Sequence, residues 1–228
     1  MTSTIMTNPK KDPKDPWHYD NIEGTLKKRK ESKNDILATI RTMDANVYTE
    51  IGKVLQKHSK DGSIQMTLLQ ENHKDYNAKA AAEVETLIDK LYSLDSQFHP
   101  LKGKLNLDKL EDNYFNKQMI EELYTPHKEQ IKRAVKKSNF DQILQGTQQQ
   151  NIRRLDEKLD DQTTKDIDAE KHGEGMLKYF LDLHKVDKSK LSGKNMDYLK
   201  NNVASLAMNH NAGHLNKDAI YDMASNYK

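Results

Sequence analysis

An all-α fold is predicted by three observations. Apolar residues recur at steps of three and four over long stretches, the hydrophobic share is only 35% with mean hydropathy −0.98, and the stripes are separated by Pro- or Gly-containing breaks. The expected architecture is a long antiparallel helical hairpin or bundle, with a C-terminal cluster of short helices and an extended N-terminal arm. The corresponding divisions are 1–20 for the arm, 21–172 for the long-helix bundle and 173–228 for a short three-helix region. Full disorder is argued against by the regular apolar spacing and by a net charge of only +2, from 37 basic and 35 acidic side chains. So little apolar material points to an extended or thin-cored protein rather than a many-layered one.

The arm contains Pro9, Pro13 and Pro16, each of which removes a backbone donor and pushes its predecessor away from helical geometry. It ends in Trp17-His18-Tyr19, which holds the single tryptophan of the chain. A large amphipathic ring at the end of an arm either packs back on its own helices or anchors on another chain. The docking set on the second reading is Pro13, Pro16, Trp17 and Tyr19.

From Asn21 to His58, Ile36, Ile40, Met43, Val47, Ile51 and Val54 form one helical stripe, thinner between Ile22 and Lys33. Gly62 and Ser63 are suited to end this helix and cap the next. Ala80, Val84, Leu87, Leu91, Leu94 and Phe98 then predict a second helix; over the whole of Ser63–Phe98 it would be about 54 Å long. His99-Pro100 and Gly103 separate it from a third segment with Leu107, Leu110, Tyr114, Ile120, Leu123 and Tyr124. Thr125-Pro126 predicts a kink or restart, after which Ile131, Val135, Ile143 and Leu144 continue the apolar face past a second break at Ser138-Asn139. Thr147 and Gln150 have capping-box spacing, opening a sparse helix with Ile152, Leu155, Leu159 and Ile167 that His172-Gly173-Glu174-Gly175 should end. Short helices are expected at 176–184, 195–209 and 217–227.

The absence of cysteine excludes disulfides, thiolate zinc sites, iron–sulfur clusters and a cysteine nucleophile. No apolar run is long enough for a membrane span, and Met1–Lys11 lacks the apolar centre of a signal peptide. The chain therefore reads as soluble, cytoplasmic or virion-borne. Neither glycine turn fits a calcium loop: Gly62 in sixth place puts Lys57 first and Leu68 twelfth, and Gly213 puts Met208 first and Ala219 last. His210 and His214, with Asp222 near, are weak metal candidates across a helix-ending glycine; no metal or other cofactor is expected. No phosphate-binding loop or nucleophile elbow appears, and the paired carboxylates Glu121-Glu122 and Asp160-Asp161 sit in polar stretches, so catalysis is not expected.

Two basic clusters remain, Lys27-Lys28-Arg29-Lys30 and Lys132-Arg133 with Lys136-Lys137. They could neutralise phosphates of a nucleic acid, or simply face solvent. Long helices with narrow seams are expected to bury too little alone, so the leading expectation is a non-enzymatic structural or assembly subunit. It would dock on other protein subunits, in a homo- or hetero-oligomer, through its arm and helical faces, as in components of phage or virus particles. The alternative is a nucleic-acid-binding or packaging accessory protein using the basic clusters.

Overall fold

The computed structural model describes residues 14–93, 99, 117–137 and 140–226, and among these it is all-helical with no strand. Eight α-helices follow in order: α1 (Ile22–His58), α2 (Ala78–Leu91), α3 (Lys117–Val135), α4 (Phe140–Asp166), α5 (Ala169–Leu183), α6 (Gly193–Asn201), α7 (Val203–Asn211) and α8 (Lys217–Ser225). The chain divides into two compact units, Glu31–Leu159 and Met1–Lys30 with Asp160–Lys228. Helices α1 and α4 contribute residues to both.

Among its described residues, the unit formed by Glu31–Leu159 is a bundle of four α-helices whose directions follow from its side-chain pairs. Lys57 and His58 meet Glu83 while Asp44 meets Tyr92, so α2 runs antiparallel to α1. Lys136 meets Glu85 and Lys132 meets Asp89, so α3 runs antiparallel to α2. Gln130 meets Gln150 and Lys158 meets Glu122, so α4 runs antiparallel to α3. The result is up-down-up-down topology. The stripe read from the sequence on α1 is its inner face, Ile36, Ile40, Met43, Val47, Ile51 and Val54 all being buried.

The second helix begins at Ala78, where the Asn77 side chain accepts from Lys79 N and Ala80 N; Leu68 and Leu69 reach the core from a 3-10 turn at Met66–Leu69 instead. The seam residues Ala80, Val84, Leu87 and Leu91 belong to α2, whereas Leu94, Phe98, Pro100, Gly103, Leu107, Leu110, Tyr114 and Ser138-Asn139 lie outside the described residues, as do the side chains of Ile143 and Leu144. Helix α3 runs on through Pro126, and Thr125 Oγ1 donates back to Glu121 O at 2.9 Å. Thr147 opens no helix, because α4 is already formed on both sides of it. The second rod is thus shorter than expected, α1 keeps its anticipated length, and the bundle closes a core of its own.

In the other unit, α5 through α8 enclose a core that includes Met176, Phe180, Leu199, Leu206 and Ile220, together with Ile22 and Leu26 from the first turns of α1. The break between α4 and α5 falls at Asp168, whose carboxylate accepts from Glu170 N and Lys171 N. Helix α5 then passes through Gly173 and Gly175, the residues expected to end it. Gly173 is required for close approach: a Cβ there would stand 2.9 Å from the Lys200 carbonyl oxygen of α6. Gly173→Ala is expected to cost about 1–3 kcal/mol through forced separation of α5 and α6, read as a lowered urea midpoint. Gly175→Ala, with nothing near the added atom, is the control and should gain helix propensity. The expected helix over 195–209 is divided at Asn202 into α6 and α7, and Gly213 takes a left-handed φ of +75° after α7.

Candidate functional site

The described residues of the arm are folded onto their own unit. Trp17 is 4% exposed and its indole lies under the Arg29 guanidinium, 4.9 Å from the ring centroid. The segment is pinned by Trp17 N donating to Asp15 Oδ1 at 2.9 Å and by Thr25 Oγ1 donating to Pro16 O at 3.0 Å. Tyr19 packs edge-on against Tyr179 and donates to Asp182 at 3.3 Å. Trp17 is therefore committed to intramolecular packing and cannot serve as an exposed anchor in this conformation. Tyr19 is half-buried and Pro16 exposed, while Pro13 lies outside the described residues.

The basic runs resolve into members of different kinds. Arg29 is 1% exposed, donates to Thr163 and pairs with Asp166, so it is a core residue rather than a phosphate contact. Lys27, Lys28 and Lys30 are exposed. In the second run, Lys132 pairs with Asp89 at 2.8 Å and Lys136 with Glu85 at 2.7 Å, both within the bundle. The Glu85 carboxylate holds the Lys136 ammonium above its ordinary pKa, and Lys132 in turn holds Asp89 below the usual carboxylate value. These two lysines are already neutralised by neighbouring helices, which leaves Arg133 and Lys137 as the exposed pair.

His210 and His214 are not brought together as a metal centre. His210, in the last turn of α7, faces Phe180 and His184, whereas His214 is exposed beyond the end of that helix. Among the described residues no group of three His, Asp or Glu side chains is placed to hold a metal ion. At the other tested turn, hydrogen bonds from Ser59 and Ser63 hold the Asp61 carboxyl well below its usual range, and Gly62 takes a φ of +70°. That carboxylate accepts from Ser63 N at 3.0 Å within the turn that follows α1.

A constellation missed from the sequence lies inside the bundle. Asp44 of α1 is 2% exposed and accepts from Tyr92 OH, from His127 Nε2 at 2.6 Å and from Gln148 Nε2 at 2.8 Å. Asn151 Nδ2 donates to His127 Nδ1, so all four helices or their ends contribute to the cluster. Burial, reinforced by the Asp44 charge, pushes the hydroxyls of Tyr92 and Tyr124 far above ordinary tyrosine pKa values. His99 lies against the Tyr124 ring, and burial lowers its pKa to about 4. The buried Asp44 carboxylate is held by charge-assisted hydrogen bonds from three side chains. The network ties α1, the end of α2, α3 and α4 together and so fixes their register and direction.

A groove of about 350 Å³ lies beside α1, its lining including Tyr48, Ile51, Gly52, Lys53, Ile64 and Met66. Ile64 is 58% exposed and Tyr48 53% exposed, although both are large apolar-bodied side chains. Gly52 supplies the floor, its missing side chain letting Ile64 Cδ1 lie 3.3 Å from where a Cβ would be. No helix among the described residues is long and apolar enough to cross a membrane. Comparison with protein-family models, curated proteins and solved structures finds no match.

Proposed function

We propose that this chain is a non-enzymatic structural or assembly subunit that docks on protein neighbours through the α1 groove, with a second copy of itself as the first occupant. The observation carrying the reading is the exposure of Ile64 and Tyr48 on the rim of an apolar groove, on a chain otherwise rich in charged side chains. Projecting side chains and an adjacent depression on the same face suit a two-fold contact, in which each copy supplies both parts. The small net charge of +2 opposes such an approach only weakly. Burial of the reactive-type residues Asp44, Tyr92 and His127 in packed protein also favours a binding role over catalysis. A phage or virus particle is the setting proposed for such a subunit, on architectural analogy.

Sedimentation of the full chain from about 1 to 100 μM tests this reading, micromolar affinity corresponding to about 8 kcal/mol of association free energy. The wild type is expected to move from monomer to dimer across that range. Ile64→Asp should remain monomeric while keeping its helical circular dichroism, because the side chain it replaces is already more than half in water. A wild-type chain that stays monomeric throughout would overturn the proposal.

A further inference from the structure

Two half-buried histidines in the unit containing α5 to α8 form a contact that the docking reading does not use. His184 occupies the C-cap of α5 and His210 the last turn of α7. Their ring centroids are 6.2 Å apart at an interplanar angle of 68°. The His210 ring also lies 5.6 Å from that of Phe180, which is completely buried, so this histidine covers one side of the core. His184 Nε2 is buried and has no hydrogen-bond partner among the described residues.

We propose that His184 and His210 form an acid-sensitive latch that holds the end of α7 against the end of α5 while both imidazoles are neutral and releases it when they become protonated. Edge-to-face ring packing is compatible with neutral imidazoles, whereas two imidazolium ions at this separation repel. The other charges facing His210 are Lys30 and Glu23 of α1: Lys30 opposes its protonation and Glu23 favours it. The C-terminal dipoles of α5 and α7 also favour positive charge on the rings. Burial outweighs these favourable influences. It is the largest cause lowering the pKa of both histidines, with His184 and Lys30 adding to the effect at His210. A divalent ion is a poorer occupant, because Lys30 acts on His210 and no third ligand group is in place among the described residues.

The pH dependence follows from these directions. Both folded-state values lie below the ordinary histidine value of about 6.5, so the unfolded chain binds more protons as pH falls below that value. The latch contributes its full stability above about pH 6.5 and loses it as pH falls through the folded-state values. Release would remove the cover from Phe180, coupling acidification to exposure of apolar surface.

Trp17, the only tryptophan in the chain, lies in the core of this unit, so its fluorescence follows the relevant unfolding directly. Urea unfolding of the full chain is measured at pH 7.5 and 5.0 for wild type, His184→Gln, His210→Gln and the double variant. The wild-type unfolding constant is expected to rise by at least about tenfold at the lower pH. The double variant should show less than about a threefold rise, and a double variant that keeps the wild-type rise overturns the latch. If that variant does not fold, NMR titration of the wild-type ring resonances decides: both midpoints below 6.5 support the latch, and either at or above 6.5 overturns it.

Discussion

Replacing Arg29 by alanine is expected to destabilise the Trp17-containing unit by about 3–5 kcal/mol, the range for removing one partner of a buried ion pair. The guanidinium is 1% exposed, so the substitution opens a cavity in packed protein instead of shortening a surface side chain. It also removes the donor to Thr163, a residue with 0% exposure, and the cation above the Trp17 ring. Asp166 is 30% exposed on its side chain and can recover water, which keeps the loss toward the lower end of the range. Arg29→Met fills much of the same volume without stranding a charge and should cost less. Lys27→Ala and Lys28→Ala, both at exposed positions, should change stability by no more than about 0.5 kcal/mol. Urea unfolding followed by tryptophan fluorescence separates these cases. A loss below about 1 kcal/mol for Arg29→Ala would return Arg29 to the solvent-facing set.

Asp44→Ala should be equally costly in the four-helix unit, at about 3–5 kcal/mol. One carboxylate accepts from Tyr92, His127 and Gln148, and its removal leaves those donors facing a cavity. Asp44→Asn retains the shape and one acceptor oxygen, so it should cost less than the alanine substitution. Tyr92→Phe removes a single donor and should lose about 1–2 kcal/mol, with the remaining acceptor capacity still used by His127 and Gln148. The four-helix unit contains no tryptophan, so circular dichroism, compared with the Trp17 signal from the other unit, isolates its transition. If Asp44→Ala unfolds with the wild-type midpoint, the network does not hold the four helices in register.

The pair of results would also separate two consequences of placing charge inside a helical protein. Arg29 is neutralised by a single partly exposed carboxylate and braced by an aromatic ring. Asp44 is held by several donors from different helices, so losing it affects their mutual alignment as well as local packing. Both positions limit how far the chain can be treated as a slender scaffold with charges outside and apolar seams inside. Its helices close a buried apolar core within each unit.

The sequence by itself determined the all-α class, the bounds of α1 and the identity of its buried stripe, because the 3.6-residue period and the Gly62 turn are local properties. It also marked Ala80, Val84 and Leu91 as members of one helix, Ile120, Leu123 and Tyr124 as one apolar face, and the end of α7 before Gly213. Tertiary structure decided the remainder. Thr125-Pro126 looks like a restart and Gly173 like a terminator in isolation, but α3 continues through the first, and the second is where Lys200 of α6 comes close to α5. Arg29 and Asp44 look like surface residues because charge is normally left in water; only the convergence of distant partners makes their burial affordable. Asp44 lies 83 residues from His127 and 104 from Gln148 in the chain, separations over which no helical period carries information. The groove at Tyr48 and Ile64 was hidden for the same reason: it exists only where the chain beyond Gly62 folds back across Gly52 of α1.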